Sequence, residues 1–279
     1  MIQKTIRSKF EQFYRLILLS QYVKNSPFML VTEYPKSGGT WLGQLISNYF
    51  DIPFPRNRIP KYEYSLLHGH RLPGPGTKNL KNIFWLVRDG RDVMISQYYH
   101  SLVWNEKNSI NPKDVIYNRK KLNFSDIHDI DKNLPIFIEY LFTHKPSRIH
   151  NYTHMGNWYD FNKAWLDYYN EFPSRLCMIR YEDLLAETDG EIKKISNFVD
   201  PELEIDEEKI KSIVHKFSFK NQTARNNGEE KSNSFLRKGI SGDWKNYFDS
   251  NCVEIFKHYS KDMLINLGYE EDNKWGLTD

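Results

Sequence analysis

Phe28-Met29-Leu30-Val31-Thr32 is an apolar run with no polar interruption, the pattern of a strand buried on both faces. It leads into Tyr34-Pro35-Lys36-Ser37-Gly38-Gly39-Thr40-Trp41, after which Leu42, Leu45, Ile46 and Tyr49 recur at helical spacing. The same strand–turn–helix order returns at 83–87, with Arg88-Asp89-Gly90-Arg91 as the turn and a helix over 93–103. It returns again at 175–180, which passes through Tyr181-Glu182-Asp183 into a helix over 184–199. Apolar runs alternating with helices predict an α/β fold: a central parallel sheet of about five strands with helices on both sides. Asp206 has the place of an N-cap for a helix reaching about residue 214, and a last helix is expected over 252–267.

Two stretches read differently. Residues 5–24 predict an amphipathic helix packed on the domain, because the apolar run at 16–19 is too short to span a membrane. No small-residue cleavage site follows it. Between 105 and 148 the periodicity weakens, leaving one helix near 134–142. The segment 101–160 therefore reads either as an insertion over the mouth of the sheet, lining an acceptor site, or as a disordered surface loop. Otherwise 1–279 reads as a single domain.

Composition narrows the function. With 39 Lys and Arg against 36 Asp and Glu, the net charge is +3, which excludes a general nucleic-acid binder and leaves anion binding to local placement of charge. The only two cysteines, Cys177 and Cys252, have no metal-ligand spacing and make no disulfide framework, so a reducing, cytoplasmic setting is expected. No cluster of acids has the look of a metal site.

The turn at 36–41 carries the first chemistry. A glycine-rich link from strand to helix lets backbone N–H groups close on phosphate oxygens at the positive end of the helix, as in the nucleotide kinases. Lys36 adds a charge, and Ser37 and Thr40 add hydroxyls. In the triphosphate-binding loop the lysine follows the glycines, whereas here it precedes them, which argues against a Mg²⁺-dependent nucleotide kinase, the alternative from the same broad chemistry.

Residues 34–41 resemble the 5'-phosphosulfate loop of the sulfotransferases that use 3'-phosphoadenosine 5'-phosphosulfate (PAPS), closest to the soluble cytosolic type. That family usually has Thr where this chain has Gly39. Residues 87–96 resemble its second signature, in which Arg88 and Ser96 would grip the 3'-phosphate; an Arg suits phosphate because its planar fork donates two bonds. A local Arg91–Asp92 pair is expected beside them. Arg237-Lys238-Gly239-Ile240-Ser241-Gly242-Asp243-Trp244-Lys245 is similar to the third signature, whose Arg, Lys and Gly meet the same phosphate. Tyr181 resembles the family's adenine-side Tyr, and Phe217-Ser218-Phe219 its adenine-side segment. Trp41, Tyr181 and Phe219 are thus stacking candidates, and Phe217 is better read as packing.

The resemblance implies a transfer from PAPS to a hydroxyl or amine of a small-molecule acceptor, with PAP as product and no metal. Leu66-Leu67-His68-Gly69-His70-Arg71-Leu72-Pro73 is similar to the family's Lys-Thr-His-Leu-Pro, whose His is the general base. The match assigns that role to His70, although Arg71 is inserted and His68 stands where a Lys often assists. On an extended segment His68 and His70 point to the same side, so register alone does not choose between them. Lys36 would stabilise the departing phosphate oxygen, and Ser96 would hold Lys36 until an acceptor arrives. A non-catalytic PAP or PAPS binder is the alternative from another class. The oligomeric state stays open, because Lys245 and Glu254 fit the family's dimer pattern while Asp249-Ser250 replace its central Thr-Val.

Overall fold

The computed structural model describes residues 27–56, 63–74, 76–104, 112–144, 155–232, 234 and 236–276. The helix expected at 5–24 lies outside them. The chain forms two compact units, each discontinuous in sequence. One holds the residues through Glu33, Ser37–Val87 and Ala164–Ser218; the other holds Tyr34–Lys36, Arg88–Lys163 and the residues from Phe219 onward.

The first unit is built on a parallel sheet of β1 (Phe28–Glu33), β2 (Ser65–Gly69), β3 (Ile83–Val87) and β4 (Leu176–Arg180), in the order β2-β1-β3-β4. Register places Val31 beside His68 and Phe84, and Trp85 beside Met178. Four strands are present among the described residues, where the alternation predicted about five. The described residues between β3 and β4 build helices and contribute no strand.

Every residue of β1 is buried, which is why the run carried no alternation. Met29, Val31, Phe84, Leu86 and Ile179 meet Leu42, Leu45 and Ile46 of α1 (Gly39–Tyr49) in one core. The core continues to Leu184 of α6 (Tyr181–Ala186), Ile192 and Ile195 of α7 (Thr188–Val199), and Ile210 and Ile213 of α8 (Glu207–Lys216). Each such side chain removed from water contributes about 1.5–3 kcal/mol, so this layer fixes where the strand ends emerge. Cys177 belongs to the same core, and burial pushes its thiol up to about 11. Both cysteines are buried and free.

The second unit is mainly helical. It includes α2 (Gly90–Tyr98), a π-helical turn (Tyr99–Val103), α3 (Pro112–Leu122), α4 (Ile130–Thr143), the start of α5 (Trp158–Glu171), the short α9 (Phe219–Thr223), α10 (Ser250–Ser260) and α11 (Met263–Asn266). The described part of 101–160 therefore holds the end of the π-helical turn, α3 and α4 joined by a short link, and the start of α5. Asn133 Nδ2 donates to the Tyr98 hydroxyl at 3.0 Å, and that hydroxyl donates to the Ile127 carbonyl at 3.0 Å, tying α4 to α2. Phe142 of α4 stacks on Tyr259 of α10 with centroids 5.2 Å apart. The single last helix predicted over 252–267 is broken into two, because Lys261 adopts φ +48° and cannot continue an α-helix.

One side chain fastens this unit. Arg91, whose side chain is 3% exposed, pairs with Asp89 at 2.7 Å and with Glu270. Its guanidinium also lies 3.8 Å from the Trp244 ring and 4.6 Å from the Trp275 ring. The expected partner, Asp92, instead accepts from the Gly242 and Trp244 N–H groups at 2.7 and 2.9 Å. The Asp89 carboxylate caps α2 and can point back at Arg91, whereas Asp92 one residue on faces the 242–244 turn. We expect Arg91→Ala to leave the buried Asp89 uncompensated and to lower stability by roughly 3–5 kcal/mol in urea unfolding, with Arg91→Lys restoring only part. A loss under about 1 kcal/mol in both variants would remove Arg91 from this role.

Candidate active site

The turn after β1 is held in an uncommon backbone shape. Lys36 sits at φ +76° and Gly38 at φ +109°; the first is a strained position for a lysine, the second one that glycine takes freely. Two side chains of the second unit hold the lysine end. Arg88 Nη1 donates to the Lys36 carbonyl at 3.0 Å, and Gln97 Nε2 to the Pro35 carbonyl at 3.2 Å.

In the first unit, Gly38 caps α1 without a side-chain bond, so the first amides of that helix look elsewhere for acceptors. The Gly39 N–H finds the Glu33 carboxylate. A Cβ on Gly39 would lie 2.5 Å from Glu33 Cδ, so the glycine makes room for this acid at the positive end of the helix. Glu33 was missed by sequence reasoning. The signal was there: a charged residue closing an otherwise apolar, wholly buried strand.

Glu33 is 4% exposed and organises both candidate bases. Its Oε1 lies 3.1 Å from His68 Nε2, and its backbone carbonyl lies 2.9 Å from His70 Nδ1. A carbonyl only accepts, so His70 Nδ1 carries the proton, and in the neutral ring the lone pair falls on Nε2. The ionised Glu33 likewise accepts from His68 Nε2. Burial pushes the Glu33 carboxyl up, but the His68 hydrogen bond, the charges of His68 and His70 and the Gly39 N–H together hold it below the usual range. The inserted Arg71 falls after β2 has ended, and its carbonyl accepts from Trp165 Nε1 at 2.8 Å. The insertion thus lies beyond the sheet and leaves the pairing of His68 with Val31 intact.

The remaining first-unit candidates form an aromatic group. Trp41 and Tyr181 meet edge to face with centroids 5.9 Å apart, and Trp41 Nε1 donates to the Phe217 carbonyl at 3.0 Å. Gly38 packs against Tyr181, where a Cβ would approach to 2.8 Å. Thr40 Oγ1 accepts from Arg56 at 3.2 Å, and Ser37 is buried.

In the second unit Lys36, Ser96 and Arg237 line one small, open pocket, together with Ser232, Ser234, Tyr99, His100 and Trp104. Arg237 and Lys238 are held by acids: Arg237 Nη2 lies 2.5 Å and Lys238 Nζ 2.7 Å from the Asp243 carboxylate, and both reach Glu230. Burial pushes the Asp243 carboxyl up, but the bonds from Lys238, Arg237 and Asn246 hold it below its ordinary range. Arg88 lies 3.9 Å from Asp92, a loose contact that leaves its fork aimed at the carbonyls of residues 36 and 240. Phe219 packs under Gly239 with Arg225 above its ring. Arg225, also missed, donates to the carbonyls of Leu236 and Arg237 and so shapes the third signature from beneath.

A family model described as "Sulfotransferase domain" matches residues 65–268. Among curated proteins, mouse sulfotransferase 1B1 is 28% identical over 277 residues, covering 84% of this chain and 82% of its own. Rat sulfotransferase 1E1 is 28% identical over 280 residues, covering 84% and 83%. In fold, the chain is similar to mouse sulfotransferase SULT7A1 complexed with PAP, at TM-score 0.64 and 17% identity with 90% of each chain covered. It is also similar to retinol dehydratase in a complex with retinol and PAP, at TM-score 0.58 and 17% identity over 90% of this chain and 85% of that one. Since the family model takes in most of the chain, β2, both histidines and the second and third signatures included, this protein belongs to the sulfotransferase family.

Proposed function

We propose that this sulfotransferase moves the sulfuryl group of PAPS to a hydroxyl, or an amine, of a small-molecule acceptor, with His70 as general base and Lys36 stabilising the leaving phosphate. The pocket lined by Lys36, Ser96 and Arg237 carries the reading: a lysine, a hydroxyl and a guanidinium line one open pocket, the donor set an anion calls for. The PAP named with the solved relatives supports the same donor. The donor's 5' side is taken by Lys36, Ser37, Gly38, Gly39 and Thr40. Its 3'-phosphate is taken by Arg88, Ser96, Arg237, Lys238 and the Gly239 backbone, and its adenine meets Trp41, Tyr181, Phe217 and Phe219.

In the transfer step the acceptor O–H gives its proton to His70 Nε2 while its oxygen bonds to sulfur. The bond from sulfur to the 5'-phosphate oxygen breaks, and the electron pair leaves with PAP. Lys36 stabilises that oxygen as charge develops on it. Ser96 holds Lys36 until the acceptor is in place. The bond from His70 Nδ1 to the Glu33 carbonyl favours His70 over His68 as base, because it fixes the tautomer with the lone pair on Nε2, whereas His68 Nε2 is engaged with the Glu33 carboxylate. No metal takes part in this step. The setting is cytoplasmic, with neither nucleic acid nor membrane as partner, and the two unpaired buried thiols support it. Acceptor choice falls to the helices of 101–160, within one domain of 1–279.

PAPS turnover against phenols, alcohols, amines and sugars tests the activity itself. PAP at 100 times its Kd should add about 2.7 kcal/mol of stability, unchanged by EDTA, in thermal-shift experiments. No shift with PAP beside a clear one with Mg-ATP would return the kinase reading. Adenosine 5'-phosphosulfate, lacking the 3'-phosphate, should bind at least about a hundredfold more weakly than PAPS, since several charge-assisted bonds of about 1.5–3 kcal/mol are lost. Arg237→Ala should erase much of that discrimination, and equal affinities in the native protein would show the 3'-phosphate residues to be misassigned. With an aliphatic alcohol as acceptor, His70→Ala should lose most turnover at unchanged PAP affinity, and His68→Ala less. Lys36→Ala should fall by roughly 10²–10³. The reverse order of the two histidines would move the base to His68.

A further inference from the structure

We propose that Glu33, His68 and His70 bind one divalent transition-metal ion of the Zn²⁺ class, and that the bound ion switches transfer off by taking the lone pair of His70. The second clause rests on His70 being the base; the first does not.

Among the described residues, this is the single group of His, Cys, Asp and Glu whose ligand atoms all lie within 4.8 Å of one another. Its construction follows from the sheet. His68 and His70 are two residues apart at the end of an extended strand and so face the same side. Parallel pairing sets Val31 beside His68 and Thr32 beside Gly69, which brings the next residue of β1, Glu33, up to both rings. A histidine on β2, a second one directly after its end and a carboxylate from the neighbouring strand give three donors from adjacent segments.

The chemistry of the set is selective. Two imidazoles and one carboxylate suit Zn²⁺, Co²⁺ and their neighbours; Mg²⁺ and Ca²⁺ call for oxygen ligands. Ligands about 2.0–2.1 Å from a tetrahedral ion stand about 3.3–3.4 Å from one another. Glu33 Oε1 and His68 Nε2, at 3.1 Å, are already near that spacing, and a ring nitrogen of His70 lies within 4.8 Å of both. The outer contacts are those that metal-binding histidines and carboxylates use. Glu33 Oε2 is held by the Gly39 N–H, and His70 Nδ1 donates to a backbone carbonyl, leaving Nε2 as the metal-binding nitrogen. A 2+ ion would also compensate the charge of a carboxylate that is 4% exposed. Three protein ligands leave a fourth position for water.

The test uses tag-free, EDTA-stripped full-length protein. Titration with Co²⁺, followed by its visible absorption, and with Zn²⁺ by calorimetry should each give one ion per chain. Glu33→Gln, which keeps the shape of the side chain, and His68→Ala should each weaken binding at least tenfold. No stoichiometric binding, or the same affinity in both variants, would overturn the site whatever the enzyme does with PAPS. If the site stands, Zn²⁺ should inhibit native turnover reversibly, with EDTA restoring it. The inhibition constant, taken against each variant's own metal-free rate, should rise in step with the loss of affinity. Full turnover with the site occupied would overturn the switch and remove His70 as base while leaving the metal site in place.

Discussion

A buried carboxylate at the end of the first strand sets most of what surrounds it. Removing an ion such as Glu33 from water costs several kcal/mol unless partners offset it, and the fold supplies them from three directions. The first amide of α1 points down at it, His68 approaches from β2, and His70, donating to the Glu33 backbone carbonyl, brings its ring close by. Each partner acquires a fixed orientation in return. A side chain at position 39 would displace the carboxylate from its present place. Both histidines receive defined tautomers from one residue. The departure at Gly39 from the usual loop sequence and the doubled histidine thus have a common physical cause.

The same device recurs among the residues proposed to hold the 3'-phosphate, with the charges exchanged. Asp89 holds Arg91, Asp92 takes the amides of the 242–244 turn, and Asp243 holds Arg237 and Lys238. All three acids are buried. Cations clamped in this way lose little side-chain freedom when an anion arrives, so more of each charge-assisted bond appears as affinity. The strained backbone of Lys36 fits the same scheme: Arg88 and Gln97 fix the carbonyls on either side of it, holding the ammonium stem in one direction.

Local patterns in the chain were enough for the parallel α/β core and the three signatures. An uninterrupted apolar run reads as a buried strand whatever lies far away, and Lys36, Arg88 and Arg237 stand out because glycines and turns beside them serve backbone geometry. The helix start at Asp206 was legible for the same reason, since a cap depends on residues within one turn. The break at Lys261, the exchange of Arg91's partner from Asp92 to Asp89 and Glu270, and the number of strands were not. Each depends on which distant segment faces a given side chain.

Sequence alone therefore pointed to the kind of chemistry: a candidate anion cradle after β1, paired cations near residue 237, and a histidine pair spaced for one side of an extended segment. Tertiary structure decided how these groups are tuned. Only the pairing of β2 with β1 brings Glu33 to His68 and His70, and only the approach of α1 explains the glycine at 39. The physical reason is the range of the forces. Strand periodicity and turn geometry act over a few residues of chain, whereas the protonation and orientation of a buried ring depend on charges brought within about 3 Å by folding, here across 35 and 37 residues.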